Sequence, residues 1–471
     1  MKRISERAVK LNDADERPKA DYVLYWMQMY KRADHNHALN FAIEKANDLG
    51  LPLLVYEGLK YYYPWASDRL HTFILEGVEE KREALRERGI SYVFYLQKDE
   101  DSPKQTVKAL AKRAAAIVTD DYPCFIIPAH NRAIVGKADV TVYAVDSNGI
   151  IPMSKFDKEE YAAYTIRPKI NKILDYYLIP FEEIEIENKD AGIEADCPDT
   201  DCSAEMIEKL VAECDIDHSV PPSPIYRGGT ANARKRLNKF VDEILPNYHK
   251  TRNKCEVDGS SRLSAYLHFG FISSLEAALA ARDADAPKEA KDEFLEELIV
   301  RRELSFNFTK FNPKYDSLES LPDWARETMR EHVSDEREYT YTAEELENAE
   351  THDELWNAAQ REIVETGEMH NYVRMLWGKN VIAWTKDYET AFGILEHLNN
   401  KYGLDGRDPN SYAGILWCFG KHDRPWFERD VFGKLRYMTS NSTGKKFGSK
   451  QYIEWTRSLK DDPKLPPVFE Q

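Results

Sequence analysis

The chain has 471 residues, with 65 Lys and Arg against 82 Asp and Glu, and a formal charge of −17. That length exceeds one ordinary hydrophobic core, so two or three domains are expected. Apolar residues make up 42% and aromatic residues 12%, which excludes a wholly disordered chain; the acidic surplus excludes a general coat for nucleic acid but leaves room for a local basic groove.

Residues 1–20 are charged and lack the apolar core of a signal peptide. They read as a flexible lead-in to an intracellular protein. No run of about 18 apolar residues offers a bilayer span, so no membrane association is expected. Cys124, Cys197, Cys202, Cys214, Cys255 and Cys418 form no Cys-x-x-Cys pair and fit no zinc or iron–sulfur spacing. They read as reduced thiols, and no metal is expected.

From residue 21 to about 146, strand-like and helix-like stretches alternate. Residues 21–27 (DYVLYWM), 51–56, 92–96, 116–120 and 140–145 are short apolar runs without polar alternation, the pattern of strands covered on both faces. Residues 36–49, 67–87 and 106–115 carry helical spacing, and the first stretch ends at Gly50. This alternation predicts βαβ units and a doubly wound parallel sheet of five strands, an α/β domain over 21–180. The βα turns are the natural ligand site of such a sheet. They contain neither the dinucleotide fingerprint G-x-G-x-x-G nor a P-loop.

The acidic stretch 182–201 and Pro221-Pro222-Ser223-Pro224 place an interdomain connection at 181–224. Beyond it, residues 230–244, 264–282, 289–308, 352–366, 370–385 and 388–402 all carry helical periodicity. The segment 225–471 is therefore predicted to be an all-α domain.

Three features of this half carry chemistry. Gly259-Ser260-Ser261-Arg262-Leu263-Ser264 stands before a helix, and hydroxyls, a guanidinium and free N–H groups there suit a diphosphate. The plainer alternative is a Ser N-cap. Met369-His370-Asn371-Tyr372-Val373-Arg374 places Asn371 and Arg374 on one helix face among apolar residues. A buried Arg needs a carboxylate, and Asp405-Gly406-Arg407-Asp408-Pro409-Asn410 supplies candidates, although such a hexapeptide is also a common turn. Trp356, Trp377, Trp384, Trp417 and Trp426 are the third feature. Any one of them alone reads as core; a linear set beside a redox cofactor would carry electrons.

Together these motifs resemble the photolyase/cryptochrome family over about residues 21–455. Tyr266-Leu267-His268-Phe269-Gly270, Met369-His370-Asn371 and Asp405-Gly406-Arg407-Asp408-Pro409-Asn410-Ser411-Tyr412-Ala413-Gly414 carry the likeness. Thr351-His352-Asp353 and Leu398-Asn399-Asn400-Lys401-Tyr402 narrow it to class II cyclobutane-dimer photolyases. The resemblance implies an antenna-type α/β domain joined to an all-helical FAD domain. It implies light-driven splitting of cyclobutane pyrimidine dimers in double-stranded DNA by electron transfer from photoexcited, reduced, anionic FAD. Members of the family carry a deazaflavin antenna, a folate antenna or none, and a monomeric state goes with the resemblance.

Roles follow from the matched positions. Ser260, Ser261, Arg262, Leu263 and Ser264 would hold the FAD diphosphate, with Tyr248 near the ribose or phosphate. Asn371, Arg374, Asp405 and Asp408 would line the flavin, Arg374 paired with Asp405, and Asn399 would face the flavin N5. Trp377, Trp356 and Trp384 would form a photoreduction chain. Glu297 would hydrogen-bond a carbonyl of the dimer and steady its radical anion; outside the family match it reads as a helix-surface partner of Arg301. Met375 and Trp417 would contact the flipped dimer. Arg424 and Trp426 would fill the gap in the duplex, their alternative being a capped surface turn. Arg252 would approach the DNA backbone or pair with Asp423.

The DNA face is expected as a groove of Arg252, Arg301, Arg302, Lys421, Arg424, Lys445 and Lys446. Arg301-Arg302-Glu303 stands where relatives often read Trp-Arg-Glu, so a lesion-side Trp is missing there. A cryptochrome-like light receptor without repair, and a nucleotide-binding α/β module with a helical partner, are the competing readings.

Overall fold

A computed structural model describes residues 2–104, 106–190 and 192–469. The apolar run at its centre, β2 (Tyr22–Met27), is buried at every position. So are Ser91–Gln97 (β4) and Ala114–Asp120 (β5). Strands covered on both faces need no alternation, as the sequence suggested. With Ala8–Lys10 (β1), Leu53–Lys60 (β3) and Val142–Val145 (β6) they form one sheet in the order β1-β6-β5-β2-β3-β4. Every pairing is parallel except β1 with β6. The chain winds one way from β2 through β4 and the other way from β5 through β6, so the switch point lies between β2 and β5.

Three expectations need correction. The lead-in is not free: β1 adds a sixth strand, and the buried Arg7 guanidinium donates to the carbonyls of Asp146, Gly149 and Ile150. Three residues are too few to show periodicity, so this edge strand left no trace in the sequence. The stretch 67–87 breaks into helices Asp68–Leu75 and Val78–Glu87 around Gly77. A Cβ on Gly77 would stand 2.4 Å from the Phe271 ring, so close packing dictates the break. The stretch 264–282 also breaks, into Ser264–His268 and Ser274–Asp283. Gly270 between them has φ +71°, and a Cβ there would meet the Met29 carbonyl at 2.1 Å.

The connection at 181–224 is strapped to the sheet domain rather than suspended. Asn40 and Asn47 amides donate to the carbonyls of Glu182 and Glu185, and Ser91 Oγ donates to that of Asp190. Arg82 pairs with Asp199 at 2.8 Å. The helical half contains Glu354–Thr366, Asn371–Ala383 and Tyr388–Tyr402 near the expected bounds. The long helix of 289–308 spans Lys288–Leu295 and Arg302–Phe311 with a wide π-type turn, Glu296–Arg301, between them. Helices Ile127–Val135, Ala163–Tyr177, Asp323–His332 and Ser449–Ser458 were not anticipated. No helix among the described residues is long and apolar enough to cross a membrane.

One apolar core runs from the sheet into the helical half, where Phe73 packs on Phe269 and Phe271. A second surrounds Trp356 and Trp377. Buried Arg69 joins the halves by donating to the carbonyls of Pro221, Ile363, Val364 and Tyr402. Three of these belong to the last turns of Glu354–Thr366 and Tyr388–Tyr402, where carbonyls lack helical partners and a cation is favoured.

Glu303 makes this junction sensitive to pH. Burial pushes its carboxyl up to about 7, with the charge of Asp146 adding to the rise and the Ile151 N–H opposing it. Its folded pKa thus lies above the ordinary value of about 4.3. The native state then holds a proton that the unfolded chain has lost. Stability from this group is complete below about 4.3 and declines as pH rises to about 7. Glu303→Gln keeps the acceptor for Ile151 and removes the titration. Its stability gain over the unsubstituted protein, from urea unfolding at a series of pH values, should grow between pH 4.5 and 7 and then level off.

Candidate functional site

A cavity of about 290 Å³ opens in the helical half, on the scale of a small-molecule site. One wall is the 259–264 loop. Behind it, buried Asp258 takes two hydrogen bonds from Arg236, at 2.6 and 2.8 Å. Burial alone would raise the Asp258 pKa, but hydrogen bonding to Arg236 and the charges of Arg236 and Arg262 hold it below the usual range. Arg236 also donates to the carbonyls of Ser261 and Ser260. The backbone is thereby tied down from the rear, while Ser260, Ser261, Leu263 and Ser264 line the cavity.

Arg262 lines the same cavity but does not offer a free cation. Its backbone is left-handed, φ +50°, and its guanidinium is engaged by Asp258, Glu368 and the Tyr226 hydroxyl, with Glu362 at 3.6 Å. Carboxylates of this chain offset its charge, while its Nη2 is buried without a hydrogen-bond partner. The helix Ser264–His268 is only five residues long, so its macrodipole is small. The hydroxyls, the loop N–H groups and Arg262 Nη2 are left as the anion-facing set.

The opposite wall is the helix Asn371–Ala383. His370 caps it, with Nδ1 accepting from the Tyr372 N–H at 3.2 Å. Arg374 forms the expected pair with Asp405, at 3.1 and 3.2 Å, and donates to the Met369 carbonyl. Asn371, Met375 and Trp377 also line this wall, and Tyr248, Asn399, Asp405 and Asp408 complete the lining. Asn399 is buried and donates to Ser411 Oγ at 3.1 Å. Asp408 caps Pro409–Cys418 and accepts from Tyr122 Oη at 2.8 Å. Burial would raise it, but the His268 hydrogen bond and charge hold it down at about 2.

The tryptophans form a contact series that leads away from this cavity through the helical core. Trp377 and Trp356 stack with centroids 6.5 Å apart and an interplanar angle of 11°. Trp356 meets Trp384 edge-on at 5.7 Å. Their order is therefore Trp377, Trp356, Trp384, with Trp356 in the middle although it is first in sequence. Gln360 fixes the Trp377 indole at 2.9 Å, and the Trp356 indole donates to the Trp377 carbonyl at 3.0 Å.

The cavity mouth departs from expectation in its charges. Glu297 pairs with Arg252 at 2.6 Å, and Arg252 also reaches Glu293 at 3.3 Å. Neither Glu297 with Arg301 nor Arg252 with Asp423 is formed. Arg301 instead meets Glu296, because the wide turn Glu296–Arg301 shifts the helical register. Asp423 is taken by Arg436 at 3.0 Å. Lys421 is buried against Glu159 and the Ser320 carbonyl, so it leaves the expected groove. Arg302 is buried over the Phe306 ring at 4.2 Å and lines the cavity.

Beside the lining residues Gly378 and Cys418, and outside the cavity lining itself, cations and indoles alternate. Lys379 lies over Trp417, Arg436 lies over both Trp417 and Trp426, and Arg424 lies over Trp426, at 4.3–5.6 Å. Burial brings the Lys379 ammonium down to about 8. Arg436, Arg236 and Tyr122 carry no sequence signal of these contacts, whereas His370, His268 and Asp408 all stand within the recognised motifs.

A second cavity, about 490 Å³, lies at the carboxyl ends of β2, β3 and β4. Gln28 anchors its floor to Thr119 and Asn131 of the facing strand and helix, at 2.8 Å each. Trp26, Tyr56 and Tyr95 line it, with Lys60, Lys104 and Lys137. The site expected of a doubly wound sheet is thus present, without a phosphate loop.

The DNA photolyase family model matches residues 23–186. The chain is 42% identical over 460 residues to a deoxyribodipyrimidine photo-lyase of Methanothermobacter thermautotrophicus, covering 97% of this chain and 99% of the relative. The chain belongs to the photolyase/cryptochrome family. A deoxyribodipyrimidine photo-lyase of Arabidopsis thaliana is 38% identical, over 93% of this chain and 89% of that one. The crystal structure of a bacterial class III photolyase from Agrobacterium tumefaciens superposes with a TM-score of 0.68 at 18% identity, over 94% and 88% of the chains. The sheet domain followed by a helical half is thus the family fold.

The residues of the first cavity fit the FAD that this resemblance implies. Arg374 Nε, Arg302 Nη1 and His370 Nε2 are buried without hydrogen-bond partners, and all three residues line the cavity. Buried donors left open are costly unless a ligand answers them. The serine hydroxyls at one end and the Arg374–Asp405 pair at the other match the two chemical ends of a flavin dinucleotide. The group itself supplies light-driven electron donation; the chain supplies its binding and electrostatics. Asp405→Asn removes the Arg374 counter-charge and leaves a poorly compensated guanidinium. Urea denaturation should show a loss of about 3 kcal/mol, the lower end for breaking a buried ion pair, and flavin retention on gel filtration should fall.

Proposed function

We propose that this protein is a class II cyclobutane pyrimidine dimer photolyase, monomeric and acting inside the cell on ultraviolet-damaged double-stranded DNA. The observation that carries the reading is the contact series Trp377–Trp356–Trp384, which leads from the cavity carrying Arg374 and Asp405 towards the surface. A binding module without electron transfer would not require indoles in this order. The near full-length match to curated photo-lyases favours repair over a light receptor.

The residues act as follows. Ser260, Ser261, Ser264 and Tyr248 hold the diphosphate and ribose end. Arg374 sets a positive potential beside the ring, which favours its reduced anion, and Asp405 fixes that side chain. Asn399, held by Ser411, presents an amide that can accept or donate. Glu297 meets the flipped dimer at the mouth. As a carboxylate it only accepts hydrogen bonds, so while Arg252 holds it its partner is an imide N–H of the lesion. Met375 and Trp417 wall the dimer, which unstacks cheaply because it is already distorted. Arg424 and Trp426, braced by Arg436, enter the gap. Where an antenna chromophore of deazaflavin or folate class is bound, Trp26, Tyr56 and Tyr95 of the second cavity would hold its rings, and Lys60, Lys104 and Lys137 would answer acidic groups.

Ultraviolet-irradiated oligothymidine should be repaired under blue or near-ultraviolet light and not in darkness; equal repair in the dark would sink the reading. Glu297→Gln should lower repair per absorbed photon at least threefold, with a smaller change in lesion affinity by fluorescence anisotropy. Trp356→Phe should abolish photoreduction of the oxidised protein, followed by its visible absorption, while dithionite-reduced protein still repairs. Survival of photoreduction would place the electron route elsewhere.

A further inference from the structure

The indole series does not end at Trp384. The Trp384 ring meets Tyr341 edge-on at 5.6 Å and His352 at 5.1 Å. The Tyr341 hydroxyl lies 2.7 Å from Nδ1 of His352. The same hydroxyl accepts the backbone N–H of His352 at 3.0 Å, so its own proton is left for the ring nitrogen. Tyr341 is tied in turn to Trp384, because its N–H donates to the Trp384 carbonyl at 3.0 Å. Tyr339 stacks on the other face of the imidazole, with centroids 3.7 Å apart. His352 directly precedes Asp353, the cap of the helix that carries Trp356, and Thr351 locks this turn by donating to Asn357 at 2.7 Å. The pair is therefore held by backbone on both sides.

We propose that Tyr341 is the terminal electron donor of the photoreduction chain and that His352 accepts its proton. This rests on the electron-relay reading of Trp377, Trp356 and Trp384. A phenol is hard to oxidise while it keeps its proton, because its radical cation is a very strong acid. A base already hydrogen-bonded to the hydroxyl allows electron and proton to leave together. Packing alone would not call for that contact, since a phenylalanine would fill the same space.

The step balances. With oxidised flavin bound and photoexcited, Trp377 would give up one electron, and the vacancy would pass through Trp356 to Trp384. Tyr341 then gives one electron to the Trp384 radical cation and its hydroxyl proton to Nδ1 of His352. Trp384 is restored, and a neutral tyrosyl radical faces a protonated imidazole. His352 is solvent-exposed, as is Tyr339, so water can take the proton and an external thiol can later return the electron. Separating the proton from the radical slows the return of the electron to the cavity. Trp384 itself is only 7% exposed, which makes it a poor exit for a proton.

The test is transient absorption and trapped-radical EPR on the oxidised, flavin-loaded full chain after a blue flash. The unsubstituted protein should show a tryptophan radical replaced by a tyrosyl radical, with that replacement slowed at least twofold in D2O. Tyr341→Phe should abolish the tyrosyl signal and lengthen the tryptophan radical's life at least tenfold. His352→Phe, which keeps a ring in the stack and removes the base, should do the same. Tyr339→Phe should retain the signal. A tryptophan radical that decays with no tyrosyl successor, or at the same rate in Tyr341→Phe, overturns this inference alone. Loss of the signal in Tyr339→Phe with retention in Tyr341→Phe overturns it too. Absence of any tryptophan radical in the unsubstituted protein removes the relay reading beneath it.

Discussion

The buried Arg262 guanidinium is the interaction on which the helical half depends. It stands at a left-handed backbone position and faces Asp258 and Glu368, with Glu362 nearby. Asp258 belongs to the serine loop, Glu362 to the helix Glu354–Thr366, and Glu368 to the turn before Asn371–Ala383. One cation thus fixes three segments that enclose the cavity. Tyr452 and the His370 N–H also bond Glu362, so the cap of the Asn371 helix is set from the same point. Without Arg262 these carboxylates would face one another in a low-dielectric interior, where like charges cost several kcal/mol.

The two halves are joined by groups with work on both sides. Arg69 of the first half gathers the loose carbonyls of two helices of the second. Arg407 is buried, belongs to the loop that carries Asp405 and Asp408, and lines the sheet-domain cavity. Tyr122 lines that same cavity and donates to Asp408, which lines the other. A single peptide segment therefore forms one wall of each cavity. The polar contacts across it are buried and satisfied, which holds the two sites in one fixed relation.

Legibility in the sequence followed the range of the physics involved. Buried parallel strands and long amphipathic helices announce themselves by period, so the strands from β2 to β6 and the helix Tyr388–Tyr402 were readable. The pair Arg374 with Asp405 was readable because a cation among apolar residues needs a counter-charge and few carboxylates stood in a suitable turn. The order of the indoles was not, since Trp356 precedes Trp377 yet lies between it and Trp384. Arg252 with Glu297 was missed because the wide turn at 296–301 rotates side chains off the i,i+4 pattern. β1 was missed because its partner, β6, lies more than 130 residues away. Arg236 and Arg436 were missed for a related reason: each serves a carboxylate or an indole that only the fold brings near.

The net charge of −17 poses the sharpest constraint on binding a polyanion. Of the cations expected on the DNA face, Arg252 and Arg301 answer carboxylates and Lys421 is buried. Arg424 and Arg436 instead lie on indole faces, where a guanidinium keeps its charge and gains an oriented platform. Phe427, next to Trp426, is 89% exposed, an unusual cost for an aromatic unless something covers it. Lys445 and Lys446 stay exposed, so the expected face combines a reduced set of free charges with several exposed or half-buried rings. Affinity from such a face comes less from displaced counterions than from stacking in an opened duplex. Undamaged DNA offers no opening for those rings and meets an acidic body. A distorted lesion offers one, so under the proposed function discrimination between the two would arise from the shortage of positive charge rather than in spite of it.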